Sequence, residues 1–422
     1  MNWIQEMKKY NAIMVATLLA LNALIIGLSV FPGPTIVSGM SGSGTSGDPY
    51  QIDDVDDLQA VSTNSGLYYI ITDDIEAGAT ENWNWDSGEG RFLGFDPIGH
   101  TNDEFQGNID GNGKTITGLY IDRPDTNHVG LIADNDGSLF DITLVNSQIT
   151  GDAYVGGLAG ESNGAIEDCK SHGTIEGSDS LIGGLVGENL GSGTVEGCST
   201  DGSVTGGELE RFVGGLVGVN WNTIEDCSST ANPTGHNYIG GLVGHNNGGI
   251  TLSFAVSSVI GNDWVGGLVG QSSNSSVIQD CYAKGGVDGD ADYVGGLVGH
   301  NVDGSAIDNA YYVGSVDGGG NYEGGLVGAD DSPTNALITN SFWSEDNCAV
   351  SDGGEDKVED DDENYGMNDI DTYIYEYYSD GLDDAWDFQG TDRNDNENND
   401  YWDIDSGKNG GFPYFYNSPP VV

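Results

Sequence analysis

The sequence predicts an all-β protein, a right-handed parallel β-helix (solenoid), with a short N-terminal capping helix and a C-terminal cap. Three observations predict it. First, the hexapeptide VGGLVG stands at 213–218, 265–270 and 294–299, with variants at 155–160, 182–187, 239–244 and 323–328. Second, the first glycine of each GGL falls at 156, 183, 214, 240, 266, 295 and 324, in steps of 27, 31, 26, 26, 29 and 29 residues. A fixed period in this range marks a stacked array. Third, each unit holds three short apolar segments separated by Gly, Asn, Ser and Asp, which are strand and turn signals with no long helical pattern. Propeller blades need about 40 residues per repeat, so one turn of a β-helix is the better fit.

The chain divides in order. Lys8 and Lys9 precede a mainly apolar stretch at 12–31, so residues 1–31 read as a signal peptide or membrane anchor. Residues 32–49 read as a linker. Residues 50–128 read as an N-terminal cap and first coils. Within them, Val55, Leu58 and Val61 follow Asp residues at helical spacing, which predicts a short amphipathic helix over the end of the solenoid. The stretch FQGNIDGNGKTITGLYI at 105–121 alternates apolar and polar residues around Gly-Asn-Gly and reads as the first strands. A degenerate copy of the hexapeptide, VGLIAD at 129–134, opens the repeat region, 129–345. Residues 346–422 read as an acidic loop followed by an aromatic C-terminal cap.

Aligning the units gives columns. Cys169, Cys198, Cys227, Ser253, Cys281, Ala310 and Ser341 share one position. A position that accepts Cys, Ser and Ala is a tight interior slot, so these thiols read as small buried fillers. No CxxC occurs, which removes the usual zinc pattern. Ser162, Asn189, Asn220, Asn246, Ser272, Asn301 and Asp330 form a second column. It reads as a corner of the coil, with left-handed backbone and amide ladders along the axis. Tyr154, Leu181, Phe212, Tyr238, Trp264, Tyr293 and Tyr322 form a third. By period-two parity these residues share a face with Leu158 and its equivalents, so the expectation is that they line the core and the neighbouring valines face outward or sit near a corner. An exposed aromatic stripe that stacks on sugars is the alternative.

Charge bounds the partners. The 422 residues carry 68 acidic and 11 basic side chains, a formal charge of -57. Nucleic acid and anionic membranes are excluded as partners by repulsion, and contact with a membrane is left to the N-terminal segment alone. At molar salt the Debye length is about 3 Å, so the composition reads as a surface adapted to very high salt. A calcium-dependent surface is the second reading.

The GGLVG repeat, followed by N-x-G-x-I-x-x-C and G-x-V, resembles the GLUG motif of secreted and surface proteins, with 155–345 carrying most of the likeness. The resemblance implies an extracellular or cell-surface location. Proteins of this kind are similar to filamentous adhesins and to the non-catalytic part of certain bacterial IgA-cleaving metallopeptidases. Those peptidases carry a zinc-binding HExxH helix. None of His100, His128, His172, His236, His245 and His300 is followed by Glu, so that activity does not carry over.

The expected function is therefore a non-catalytic surface repeat protein, adhesin-like or a cell-coat component, whose partner is an unidentified surface glycan or protein. No catalytic residue and no cofactor is expected. A β-helical polysaccharide lyase or hydrolase, or a glycan-binding protein, is the alternative. An enzyme of that class needs carboxylates clustered with a base, whereas Lys114, Arg123, Lys170, Arg211 and Lys284 share no column. One calcium-loop-like stretch carries Asp392, Asn394, Asn396 and Asp403 at ligand spacing, but it has Glu397 where the EF-hand places Gly and Asp rather than Glu at its end. It predicts no tight site.

Overall fold

In a computed structural model, each repeat makes one turn of a solenoid whose strands pair in parallel with those of the turns before and after. The structure describes residues 39–344, apart from 62–65, 101–102, 208–211, 321, 332–337 and 340, together with strands Tyr365–Met367, Trp402–Asp403 and Tyr414–Phe415. The signal or anchor segment 1–31, most of the acidic region 346–422, and Asp392, Asn394 and Asn396 lie outside the described residues. So does the side chain of Asp403. Among the described residues no helix is long and apolar enough to cross a membrane.

A representative turn starts with Val155–Gly156, bends at Leu158 and continues as Ala159–Ser162, Ala165–Glu167 and Lys170–Gly177. Stacking these segments builds three walls. The first segments form a seven-stranded sheet, the second an eight-stranded sheet with one strand from each of eight turns, and the rest a single large sheet. Register is kept turn after turn, with Val155 beside Ile182, Glu161 beside Glu188 and Ile166 beside Val195. Ile, Leu and Val at the inward positions are buried along the whole length. A one-residue slip would turn every one of them out to water.

The large sheet begins earlier than the sequence suggested. Tyr50–Ile52 already pairs with Tyr68–Ile71, and that strand pairs with Asn108–Asp110. The described part of the expected linker is not free chain. Gln51 donates to the Ser41 carbonyl at 2.8 Å, and Tyr68 to that of Gly44 at 3.0 Å. The predicted helix forms at Val55–Gln59, and its N-cap Asp54 accepts from the Asp57 amide at 2.9 Å. Leu58 is fully buried in the core.

Two columns behave differently from their sequence reading. The Asn column does not adopt left-handed backbone. Its members end or lie in strands and point inward, fully buried from Ser162 to Asn301. The amide ladder does form, with Asn189 Nδ2 donating to Asn220 Oδ1 and Asn220 Nδ2 to Asn246 Oδ1, each at 2.8 Å. The left-handed corners sit elsewhere. One is the position before the cysteine column, occupied by Asp168, Gly197, Asp226, Leu252, Asp280 and Asn309. The other is the aromatic column, where Tyr154, Leu181, Tyr238, Trp264 and Tyr293 all have φ between 55° and 65°.

That second corner overturns the core reading of the aromatics. A left-handed residue rotates the following side chain out of period-two alternation. Val155, Ile182, Val213, Ile239, Val265 and Val294 are therefore fully buried, while Tyr154, Leu181, Phe212, Tyr238, Trp264, Tyr293 and Tyr322 are half-buried at the surface. Glu323 replaces the valine on the last of these turns. Its burial raises its pKa, as expected for a carboxylate placed where the fold wants an apolar side chain.

Candidate functional site: paired surface ladders

The GGL turns bring two surface columns side by side. A Cβ on Gly156 would fall 2.1 Å from the Ala159 carbonyl oxygen of its own turn, and one on Gly160 would fall 2.7 Å from the Tyr154 carbonyl oxygen. The two arms of the turn thus lie backbone against backbone, which only glycine permits. Beside the aromatic column this close approach places a second column, Asp134, Glu161, Glu188, Val219, His245, Gln271, His300 and Ala329, in register on consecutive strands and buried at Asp134, Val219, His300 and Ala329.

The aromatic rings stack on one another along the solenoid axis. Phe212 and Tyr238 lie 4.7 Å apart, Tyr238 and Trp264 4.5 Å, Trp264 and Tyr293 5.5 Å, and Tyr293 and Tyr322 4.8 Å. The last three pairs are within 6° of parallel. The spacing follows that of parallel strands, about 4.8 Å. Both faces of Tyr238, Trp264 and Tyr293 are therefore covered by neighbouring rings, and water meets the ring edges. Histidines of the second column close the flank. His245 stacks near Phe212 at 5.2 Å, and His300 stacks on Tyr293 at 4.5 Å. Burial pulls the His245 imidazole down to about 4, and burial likewise lowers His300.

At the N-terminal end the composition of the ladders changes. His128 occupies the aromatic position, with φ of 58°, and its ring stacks on Tyr154 at 4.5 Å. Beside it the second column is acidic. Nδ1 of His128 contacts the Asp134 carboxylate and lies 3.8 Å from Glu161 Oε2. Ligand atoms of His128, Asp134 and Glu161 all lie within 4.8 Å of one another. The hydrogen bond with Asp134 raises the His128 pKa, and burial raises those of Glu161 and Glu188. Nothing in the residue spacing pointed to this cluster. The signal was the alignment of VGLIAD with the later copies, which puts His128 and Asp134 into ladder positions.

A shallow polar hollow of about 360 Å³ lies on the large sheet, lined by Asn146, Ser147, Gln148, His172, Gly173, Thr174, Gly202 and Ser203. His172 reaches Asp201 at 3.1 Å, but no carboxylate lines the hollow itself. The two-carboxylate chemistry of glycoside hydrolysis has no pair of groups there. Of the basic residues considered from sequence, Arg123 is held by Asp96 at 2.9 Å in the N-terminal coils, away from the ladders.

The cysteine column is interior, as its small occupants implied. Cys169, Cys198, Cys227 and Cys281 are buried free thiols. Each donates to the carbonyl two residues back, for example Cys198 Sγ to Glu196 at 3.1 Å. The hydrogen bond with Cys198 and then burial push the Cys169 pKa up, and burial pushes up that of Cys198.

Comparison with known proteins finds the repeat motif and similar chains. The GLUG motif family model matches residues 178–205 and 213–234. The chain is 36% identical over 222 residues to halomucin of Haloquadratum walsbyi, a match that covers 45% of this chain and 2% of halomucin. It is 33% identical over 134 residues to a protein of Evansella cellulosilytica described as a candidate Gly-rich membrane protein, covering 30% of this chain and 15% of that one. The chain thus spans only a small part of either relative. Among solved structures it is similar to a candidate immunoglobulin A1 protease from Bacteroides ovatus, with a TM-score of 0.46 and 19% identity, over 58% of this chain and 77% of the other. Residues 178–205 and 213–234 thus match the GLUG motif, within a chain whose repeats stack as a parallel β-solenoid.

Proposed function

We propose that the chain is a non-catalytic part of an extracellular, cell-surface rod, a cell-coat component suited to very high salt. The observation that carries this reading is the aromatic ladder. Sugar recognition by stacking needs a free ring face, and here Tyr238, Trp264 and Tyr293 spend both faces on their neighbours. The middle rings of the ladder therefore stiffen the rod and offer no free face to a glycan. The surface location is supported by similarity to halomucin and to the candidate Gly-rich membrane protein. The acidic surface, 68 carboxylates against 11 bases, suits a molecule bathed in concentrated salt.

The test is protease shaving of intact cells of the source organism, followed by detection of peptides from 129–345. Their release from intact cells supports the reading; retention of the whole chain in the cytosolic fraction overturns it. A panel of uronan and neutral glycan substrates tests the enzymatic alternative, and cleavage of any one would reverse the non-catalytic assignment. An adhesin-like role would show instead as saturable binding to a glycan or protein array in high salt.

A further inference from the structure

The internal repeats serve as a comparison set for the N-terminal cluster. On later turns the aromatic column carries Phe, Tyr or Trp, and the column beside it carries Val, His, Gln, His and Ala. On the first turns the aromatic position becomes His128, and the neighbouring column becomes Asp134, Glu161 and Glu188. Like charges directly opposite one another on paired strands are destabilising. A stack of three carboxylates beside one imidazole is therefore a cost that the rest of the ladder avoids.

The geometry sorts the three. Glu188 is already engaged, because Trp221 Nε1 donates to its Oε1 at 2.8 Å. Asp134 and Glu161 are the two that converge on His128. Each is positioned by the fold. The His128 ring is fixed by stacking on Tyr154. The Asp134 backbone is bonded to Gly99 and Phe105 at 2.9 and 2.8 Å. Glu161 follows one turn later, in register with Asp134. Asp134 is 7% exposed as a residue, the His128 side chain 18% and that of Glu161 27%, so the cluster is largely but not wholly closed to water. Asp136 is the other charged group near Glu161.

We propose that Nδ1 of His128 and one carboxylate oxygen each from Asp134 and Glu161 form a three-ligand site for a single divalent cation of the zinc class, tying the first repeat turn to the second. One imidazole with two carboxylates suits a borderline cation, whereas calcium prefers six to eight oxygens. The cation neutralises the two facing carboxylates, which a single imidazolium does only in part. Three protein ligands leave a coordination position free for water.

The test uses the full chain, stripped with chelator and kept near 1 M potassium chloride so that diffuse binding to the acidic surface is screened. Zinc is titrated by calorimetry and Co²⁺ by visible absorption. The expected result is one zinc per chain, a Co²⁺ spectrum typical of nitrogen ligation, and no displacement by equimolar calcium. Glu161→Gln and His128→Asn each weaken zinc binding by at least about tenfold; Asn is chosen because it tolerates left-handed backbone. Glu188→Gln leaves binding unchanged. The site is overturned by wild-type zinc affinity in Glu161→Gln, by the absence of one-to-one binding, or by equal displacement with calcium. Should His128→Asn not fold by circular dichroism, Glu161→Gln and the Co²⁺ spectrum decide.

Discussion

The indole N–H of Trp264 donates to Nδ1 of His300 on the following turn, at 3.2 Å. The Gln271 amide approaches the same nitrogen at 3.3 Å, and Nε2 of His300 lies 3.0 Å from the Asp331 carboxylate. With donors at Nδ1, the proton resides on Nε2 and is donated to Asp331. His300 is thus a neutral cross-link between ladders, in keeping with the burial that lowers its pKa. Its two nitrogens are both committed to these contacts.

Removing a ring from the middle of the ladder destabilises the rod. Tyr238 stacks on Phe212 and Trp264, and an aromatic pair contributes about 0.5–1.5 kcal/mol beyond area burial. Tyr238→Ala should cost roughly 1–3 kcal/mol on that account. Tyr238→Asn should cost about 1 kcal/mol less, because the position has φ of 58° and Asn tolerates it. Denaturant melts of the two variants check both the loss and the order; Ala equal to or better than Asn would contradict the backbone argument.

The amide ladder predicts a steep dependence on side-chain chemistry at Asn220. Its amide bonds to Asn189, Asn246 and Asn222 in a fully buried position. Asn220→Leu leaves Asn189 and Asn246 short of partners and should cost about 3 kcal/mol or more. Asn220→Ser should be milder, since Ser162 and Ser272 hold the same column. Thermal melts that rank Leu above Ser would refute the ladder as a source of stability.

Ser should also replace Cys198 with little effect. Cys198 Sγ donates to Glu196 and accepts from the Cys169 amide at 3.4 Å. Ser253 already makes both contacts in its own turn, at 2.7 and 3.0 Å. Cys198→Ser is expected within about 1 kcal/mol of wild type, and Cys198→Leu should overpack the slot by about 1–3 kcal/mol. Native-state alkylation of the four thiols should be slow, since burial disfavours the thiolate. Rapid labelling mapped to Cys169, Cys198, Cys227 or Cys281, as distinct from the fifth cysteine, Cys348, would show that the column is open to solvent.

Acid should expose the cost of burying His245. Its folded pKa is about 4, against roughly 6.5 in an unfolded chain. Between those values the unfolded state binds the extra proton, so stability is full above pH 6.5 and falls as pH drops toward 4. The slope is at most about 1.4 kcal/mol per pH unit, less for a side chain partly open to water. Glu161, Glu188 and Glu323, whose pKa values are raised by burial, act in the opposite sense. Comparison with His245→Gln isolates the histidine, because Gln271 already occupies the next place in the column. Wild type should lose more stability than the variant between pH 7.5 and 5; parallel curves would exclude the effect.

Salt should stabilise the whole rod. At 0.01 M the Debye length is about 30 Å, against about 3 Å at 1 M, and repulsion among the carboxylates favours the unfolded chain. Melting temperature should rise steeply between 0.05 and 2–3 M potassium chloride, over which the screening length falls roughly six- to eight-fold. Millimolar calcium should replace only part of the rise. A flat response would return attention to calcium and to the loop with Asp392, Asn394, Asn396 and Asp403.

What the sequence determined by itself was everything that depends on spacing alone. The 26–31-residue period, the interior Cys/Ser/Ala column, the Asn ladder and the helix at Val55–Gln59 were legible because parallel stacking repeats the same side chain at the same place on every turn. Direction, by contrast, depends on the folded backbone. Parity arguments assume uninterrupted extended backbone, and Tyr154, Leu181, Tyr238, Trp264 and Tyr293 break it with positive φ. One such residue per turn exchanged the faces of the valine and aromatic columns. The same local backbone brought His128 against Asp134 and Glu161, residues 6 and 33 positions further along the chain. The repeat period puts Asp134 and Glu161 in one column, but only the folded turn sets His128 of the neighbouring column against both.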